Sequence, residues 1–284
     1  MRYRPVVHHS EHEQIAARLA RMSARLGLAE RLLAACAEIP GRIVFTTSFG
    51  IEDQVIVHAI FSHGLEIDVV TLDTGRLFPE TYEVWANTEM RYGARVRAIL
   101  PDHETLAALV ARQGINGFRQ SIEARQACCA VRKVEPLGRA LAGAAGWITG
   151  VRAEQSSARA QMSYAAFDAQ YQLVKINPLF DWTREEVVGF VRDQHVPYNP
   201  LHDRGLPSIG CAPCTRAVPP GAPERAGRWW WEQEDKKECG LHRTGCAMPK
   251  RAQPSRDQHR ARSILDQSRF AEGKRRIDPG ANPG

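Results

Sequence analysis

The sequence predicts an α/β fold: a mostly parallel five-stranded sheet with helices on both faces, followed by a mobile C-terminal arm. Three observations predict it. Apolar, β-branched runs alternate with stretches of helical periodicity between Arg42 and His195. Polar loops containing glycine follow several of those runs, and open parallel sheets bind ligands just past their strand ends. Finally, Pro219–Pro223 packs three prolines and a glycine into five residues, a hinge by composition, and Cys239 lies beyond it.

Taken in order, residues 11–38 repeat apolar side chains at helical spacing (Ile15, Leu19, Met22, Leu26, Leu32, Leu33), with Gly27 as a break. Cys36 reads there as a small buried hydrophobe. Arg42–Thr47 is the first strand. Ser48-Phe49-Gly50 is a short glycine loop, and a helix runs on from Ile51. Strand, glycine loop and helix N-terminus together form an anion site, although no Gly-Lys-Ser/Thr makes it a Walker loop. Ile67–Leu72 is the second strand, ending in Asp73-Thr74-Gly75-Arg76. Tyr82–Tyr92 reads as a helix, Ala94–Leu100 as the third strand and His103–Gln113 as a helix. Ile122–Ala142 reads as a helix interrupted near Pro136. Trp147–Gly150 and Tyr171–Ile176 are the fourth and fifth strands. Thr183 with Glu186 makes a capping box for a helix to about His195. This divides the chain into 1–40, helices packing on the core; 41–218, the α/β domain; 219–246, the arm; and 247–284, a basic solvated tail.

With 284 residues, 43 % hydrophobic and 25 % charged, the chain is an ordinary soluble globular protein with one sizeable core. No apolar run approaches the roughly 18 residues of a membrane span. Met1–Gln14 is polar with no apolar signal region. Seven cysteines is an odd count, so reduced thiols in the cytoplasm are expected rather than a disulfide framework. The net charge of +6 favours anionic partners. Nucleic acid is not expected, because the tail cations are interleaved with Phe270 alone among aromatics.

Chemistry concentrates on Cys128-Cys129 and on Cys211-Ala212-Pro213-Cys214. Adjacent cysteines rarely bond each other, because a disulfide wants its Cα atoms about 5.5 Å apart. Two pairs supply four thiolates for a metal centre, with Arg132 and Lys133 beside the resulting negative charge; the alternative is two buried thiols and an unrelated redox pair. An iron–sulfur cluster suits a Cys-Cys pair better than zinc does. Cys239 stands apart, near Lys236, Lys237 and His242. It reads either as a nucleophile with a lowered pKa or as an inert surface thiol. Cys246 reads as a resolving thiol or a bystander, and Trp229–Trp231 as packing residues for the arm or a base-stacking surface.

Six motifs, in order, carry a resemblance that covers roughly Arg42 to His242. They are Ser48–Asp53, Leu72–Thr81, Cys128-Cys129, Thr149–Arg152, Cys211-x-x-Cys214 and Glu238–His242. The chain resembles the cluster-bearing, assimilatory APS-reducing branch of the APS/PAPS reductase family. The resemblance implies an adenine-nucleotide α-hydrolase-like fold related to PP-loop enzymes, and a [4Fe-4S] cluster on Cys128, Cys129, Cys211 and Cys214. It implies attack by Cys239 on the sulfur of APS, with thioredoxin or glutaredoxin as reductant. By motif, Lys133, Arg152, Arg225 and His242 meet the sulfate and phosphate. Ser48, Phe49, Gly50, Leu72, Asp73, Thr74, Gly75 and Arg76 hold the nucleotide. A homo-oligomer is likewise implied. Glu52 and Asp53 would repel the extra phosphate of PAPS and favour APS; PAPS or dual use is the alternative. An adenylating PP-loop enzyme would need a Ser-Gly-Gly-type loop where Ser48-Phe49-Gly50 stands. A non-catalytic iron–sulfur sensor would not need Cys239. The forty residues beyond His242 depart from the family pattern.

Overall fold

The computed structural model describes residues 9–22, 26–156, 159–232 and 241. Cys239, His242, Lys236, Lys237, Cys246 and the whole 247–284 tail lie outside the described residues.

Gly27 separates two helices as expected, α1 (His9–Met22) and α2 (Leu28–Glu38). The core then alternates β1 (Ile43–Thr47), α3 (Ile51–Ser62), β2 (Asp68–Leu72), α4 (Pro79–Tyr92), β3 (Arg97–Ile99) and α5 (His103–Gln113). Next come α6 (Ile122–Cys129), α7 (Glu135–Leu141), β4 (Gly146–Ile148), β5 (Ala165–Asp168), β6 (Leu173–Ile176) and α8 (Arg184–Asp193). Thr183 caps α8 as its sequence predicts: its hydroxyl accepts from Glu186 N while Glu186 Oε2 accepts from Thr183 N at 2.6 Å.

The sheet has six strands, not five, in the order β3-β2-β1-β4-β6-β5. Every pairing is parallel except β5 with β6. The extra strand is the antiparallel edge. Its four residues include two alanines, so neither β-branching nor clear alternation marks it. A turn closed by Asp168, whose Oδ1 accepts from Gln170 N and Tyr171 N, folds it back on β6. Helix α1 packs on this strand, with His12 stacked on Phe167.

Alternation along the strands feeds two cores. Ile43 and Phe45 of β1 join Ile148, Val174 and Ile176 under α1, α2, α3 and α8. Val44, Val70, Trp147 and Leu173 point the other way and meet Leu137, Ala140 and Leu141 of α7. Helices therefore cover both faces. Chain order reverses between β1 and β4, so the crevice past their C-terminal ends is the topological switch point where such sheets take ligands.

The expected interruption near Pro136 is a π-helical turn at Ala130–Val134, between α6 and α7. Pro136 has no N–H to donate to the turn before it, and its ring crowds that turn. Arg132 and Lys133 lie in this turn, and both line the cavity that the cysteines line, with Arg132 Nη1 donating to the Thr74 carbonyl past β2.

Candidate active site

A cavity of about 200 Å³ opens at the switch point. Its floor is the loops after β1 and β4. Asp53, in the first turn of α3, ties the first loop: Oδ2 accepts from Ser48 N at 2.6 Å and from Ser48 Oγ at 2.7 Å. Burial pushes the Asp53 carboxyl up to about 6, against the pull of the two Ser48 bonds. Gly150, after β4, is required by this contact, since a Cβ there would lie 2.1 Å from Asp53 Oδ1. Ser48, Gly50, Leu72, Thr74, Lys133 and Arg225 all line the cavity, as do Glu52, Asp53, Arg159 and Arg228. Leu241 lines it too, two residues beyond Cys239 in sequence.

Cys128, Cys129, Cys211 and Cys214 line one smaller cavity together with Arg76, Arg125, Arg132, Lys133 and Trp229. Local structure brings them there. Cys128 and Cys129 close α6, and Cys211 and Cys214 flank a single 3-10 turn held by Cys214 N to Cys211 O at 2.9 Å. Ala212 N anchors that turn to Arg76 O. Burial raises the Cys128 thiol despite Arg132, and raises Cys214 to about 11. Burial pushes Cys211 up as well, but Lys133, the Thr74 hydroxyl, Arg228 and Arg132 outweigh it and hold that thiol below its ordinary value. Trp229 Nε1 and Arg132 Nε are buried here with no hydrogen-bond partner among the described residues. Donors waiting beside four thiols suit an anionic sulfur-rich group. No three His, Cys, Asp or Glu side chains among the described residues gather closely enough to hold a single metal ion.

The two cavities share a wall. Lys133, Cys211 and Trp229 line both. Thr74 also links them: its Oγ1 lies 3.3 Å from Cys211 Sγ and its carbonyl accepts from Arg132 Nη1 at 2.5 Å.

Other expected site residues sit elsewhere. Phe49 is buried in the core at φ 57, stacked on Trp85 with centroids 5.5 Å apart. Asp73 turns away to accept from Tyr82 OH and Gly75 N. Gly75 takes φ +66 beside Arg132 Nη1. Arg76 lies over Phe118 and faces the cysteines rather than the larger cavity. Arg152 is fully buried among carboxylates: Nε donates to Glu52 at 3.0 Å, Nη1 to Glu154 at 2.7 Å and Nη2 to Glu224 at 2.8 Å. Arg159 and Arg228 are the cavity cations that sequence reasoning missed, since neither stands in a quoted motif. Trp229 is held between Arg125 and Arg228, at 4.6 and 4.8 Å. Trp231 packs on Phe118.

The phosphoadenosine phosphosulfate reductase domain matches residues 42–217. The chain belongs to the APS/PAPS reductase family. It is 57 % identical over 222 residues to the adenosine 5'-phosphosulfate reductase of Agrobacterium fabrum, covering 78 % of this chain and 85 % of that one. It is 53 % identical over 214 residues to the enzyme of the same name from Allochromatium vinosum, covering 75 % and 83 %. Among solved structures, the phosphate complex of the Candida auris phosphoadenylyl-sulfate (PAPS) reductase superposes with a TM-score of 0.61 at 26 % identity, covering 72 % of this chain and 96 % of that chain. Among the described residues no helix is long and apolar enough to cross a membrane.

Proposed function

We propose that the chain reduces adenosine 5'-phosphosulfate to sulfite and AMP, the activity that its curated relatives are named for. One observation carries the reading: a cavity at the strand ends shares Lys133, Cys211 and Trp229 with a second cavity lined by four cysteines. The Cys239 thiolate attacks the sulfur of APS, the bond from sulfur to the phosphate oxygen breaks, and AMP leaves with that electron pair. Cys239 then carries the sulfonate. A thiol of thioredoxin or glutaredoxin attacks the Cys239 sulfur and expels sulfite, and its second thiol resolves the mixed disulfide. The dithiol supplies both electrons. Lys133, Arg159, Arg225 and Arg228 supply fixed positive charge for the sulfate and the leaving phosphate, where preorganised charge stabilises most. In this reading His242 joins them, 219–246 is the arm that carries Cys239, and the protein is a homo-oligomer; the proline-rich hinge at Pro219–Pro223 and the resemblance both support the arm, while resemblance alone supports the other two assignments and the choice of reductant.

Cys128, Cys129, Cys211 and Cys214 would hold a [4Fe-4S] cluster. The buried, unpartnered donors of Trp229 and Arg132 and the cations around the thiols support that fit. Four thiols are the number of protein ligands such a cluster would take. When bound, it supplies a compact negative charge beside Lys133. Glu52 and Asp53 on the cavity wall favour APS over PAPS, whose extra phosphate they would repel.

The test is an intact mass after incubation with APS and no reductant. The expected result is a gain of roughly 80 Da, one SO₃, on Cys239, released as sulfite by thioredoxin. PAPS in a parallel tube should give much less adduct. No adduct from protein with intact cluster absorbance would sink the reading.

A further inference from the structure

Arg125 lies in α6, four residues before Cys129, and is fully buried. A guanidinium cannot shed its charge, so a buried one needs fixed partners. Its Nε donates to Glu232 Oε1 at 2.6 Å, and the Glu232 side chain is only 3 % exposed. Its head lies over the Trp229 ring at 4.6 Å. One helical turn along α6, it lines the cysteine cavity beside Cys129, whose sulfur it attracts by charge and hydrogen bond. Glu232 Oε2 is buried with no partner among the described residues, so the side chain is held through Oε1 and Arg125.

Neighbouring contacts lead to the same wall. Trp229 N donates to Cys214 O at 3.1 Å, and Glu232 N donates to Trp229 O at 2.8 Å. Cys239 follows Glu232 by seven residues, a length of chain that reaches at most about 25 Å. Neither Arg125 nor Glu232 has a part in the reaction proposed above.

We propose that Arg125 and Glu232 are positioning residues joining the cysteine cavity to the C-terminal segment, with one buried cation holding both the Cys129 sulfur and an anchor just ahead of Cys239. This rests on the proposed role of the four cysteines. Such coupling is reciprocal. What steadies Cys129 steadies residues 226–232, and docking of that segment steadies the cluster.

The experiment compares cluster-loaded wild type with Glu232→Gln, which keeps the side chain's size and removes its charge. Two rates are read: bleaching of the visible cluster absorbance by a chelator, and amide exchange across 226–232. Both should rise about tenfold in the variant, well within what loss of a buried charge partner supplies. AMP affinity should stay within about twofold, because the nucleotide cavity is built mainly on strand ends. In cluster-stripped wild type, exchange at 226–232 should rise by a similar factor, and Glu232→Gln should add less than about twofold more. Arg125→Lys keeps a cation but loses the planar fork that serves several partners, and should reproduce both increases. Faster exchange with unchanged bleaching would make Glu232 a plain clamp for the segment and overturn the coupling. Increments that simply multiply would do the same. Wild type that takes up no cluster would show it in the starting absorbance and would fail the reading of the cysteines first; retained AMP binding and a Cys239 adduct would then separate that failure from failure of the reaction.

Discussion

Asp53 gives up water to hold Ser48, and its carboxyl is pushed up to about 6 by that burial. An acid whose folded pKa exceeds its unfolded value of 3.8 favours the fold most below about pH 4, and that support is lost as pH rises through about 6. The displacement is about two pH units, or about 3 kcal/mol for a fully buried group. Asp53→Asn removes the titration and keeps an acceptor for Ser48. Urea unfolding of both proteins should therefore show the stability of wild type relative to the variant falling by about 2 kcal/mol between pH 4 and 7. A flat difference would mean that Asp53 is ionised in the fold as readily as in the open chain. Ser48, Thr74, Lys133 and the four cysteines were legible at this scale because each sits next to a turn or a strand end, and local geometry fixes where it points. Arg152 and Arg159 were not. Which of two loop arginines reaches the cavity depends on carboxylates far off in sequence, and Glu52 and Glu224 claim Arg152.

The stretch from α6 to α7 is one helical path with a π turn inserted at 130–134. Such a turn carries about one residue more than α geometry needs, and one residue is about 100° of rotation. Deleting Ala130 should restore a regular helix and swing Cys128 and Cys129 by about that angle away from Cys211 and Cys214. None of residues 130–134 belongs to either core. The deletion variant should thus keep its far-ultraviolet dichroism and cooperative melting while losing visible cluster absorbance; retained absorbance would show that the turn has no part in placing the cysteines. The sequence made most elements legible, because buried parallel strands and amphipathic helices carry strong periodic signals. It marked an interruption near Pro136, but not that the helix widens instead of ending. It hid β5 altogether, since an edge strand of four residues pairs on one side only and needs little apolar content.

At the scale of the whole molecule, two cavities share the wall of Lys133, Cys211 and Trp229 but otherwise rest on different parts of the chain. The larger cavity rests mainly on loops after β1, β2 and β4, held by the sheet. The cysteine cavity rests on the end of α6 and the turn at 211–214, with Lys133 facing both. Their construction predicts that they can be separated. Stripping the proposed cluster from the native protein should leave AMP affinity within about threefold, because the strand ends, where open parallel sheets take their ligands, are untouched. The same treatment should slow formation of the Cys239 adduct from APS by a hundredfold or so, the order expected when a preorganised charge at the reacting group is misplaced. Lys133→Ala with the cluster intact should show the same split, weak on AMP and severe on the adduct, if the cluster acts by holding Lys133 at the shared wall. Stripping and Lys133→Ala combined should then cost little more than either alone. A stripped protein that still forms the adduct at the wild-type rate would confine the cluster to stability. A Lys133→Ala protein that does so would remove this lysine from the chemistry and leave Arg159, Arg225 and Arg228 to meet the sulfate.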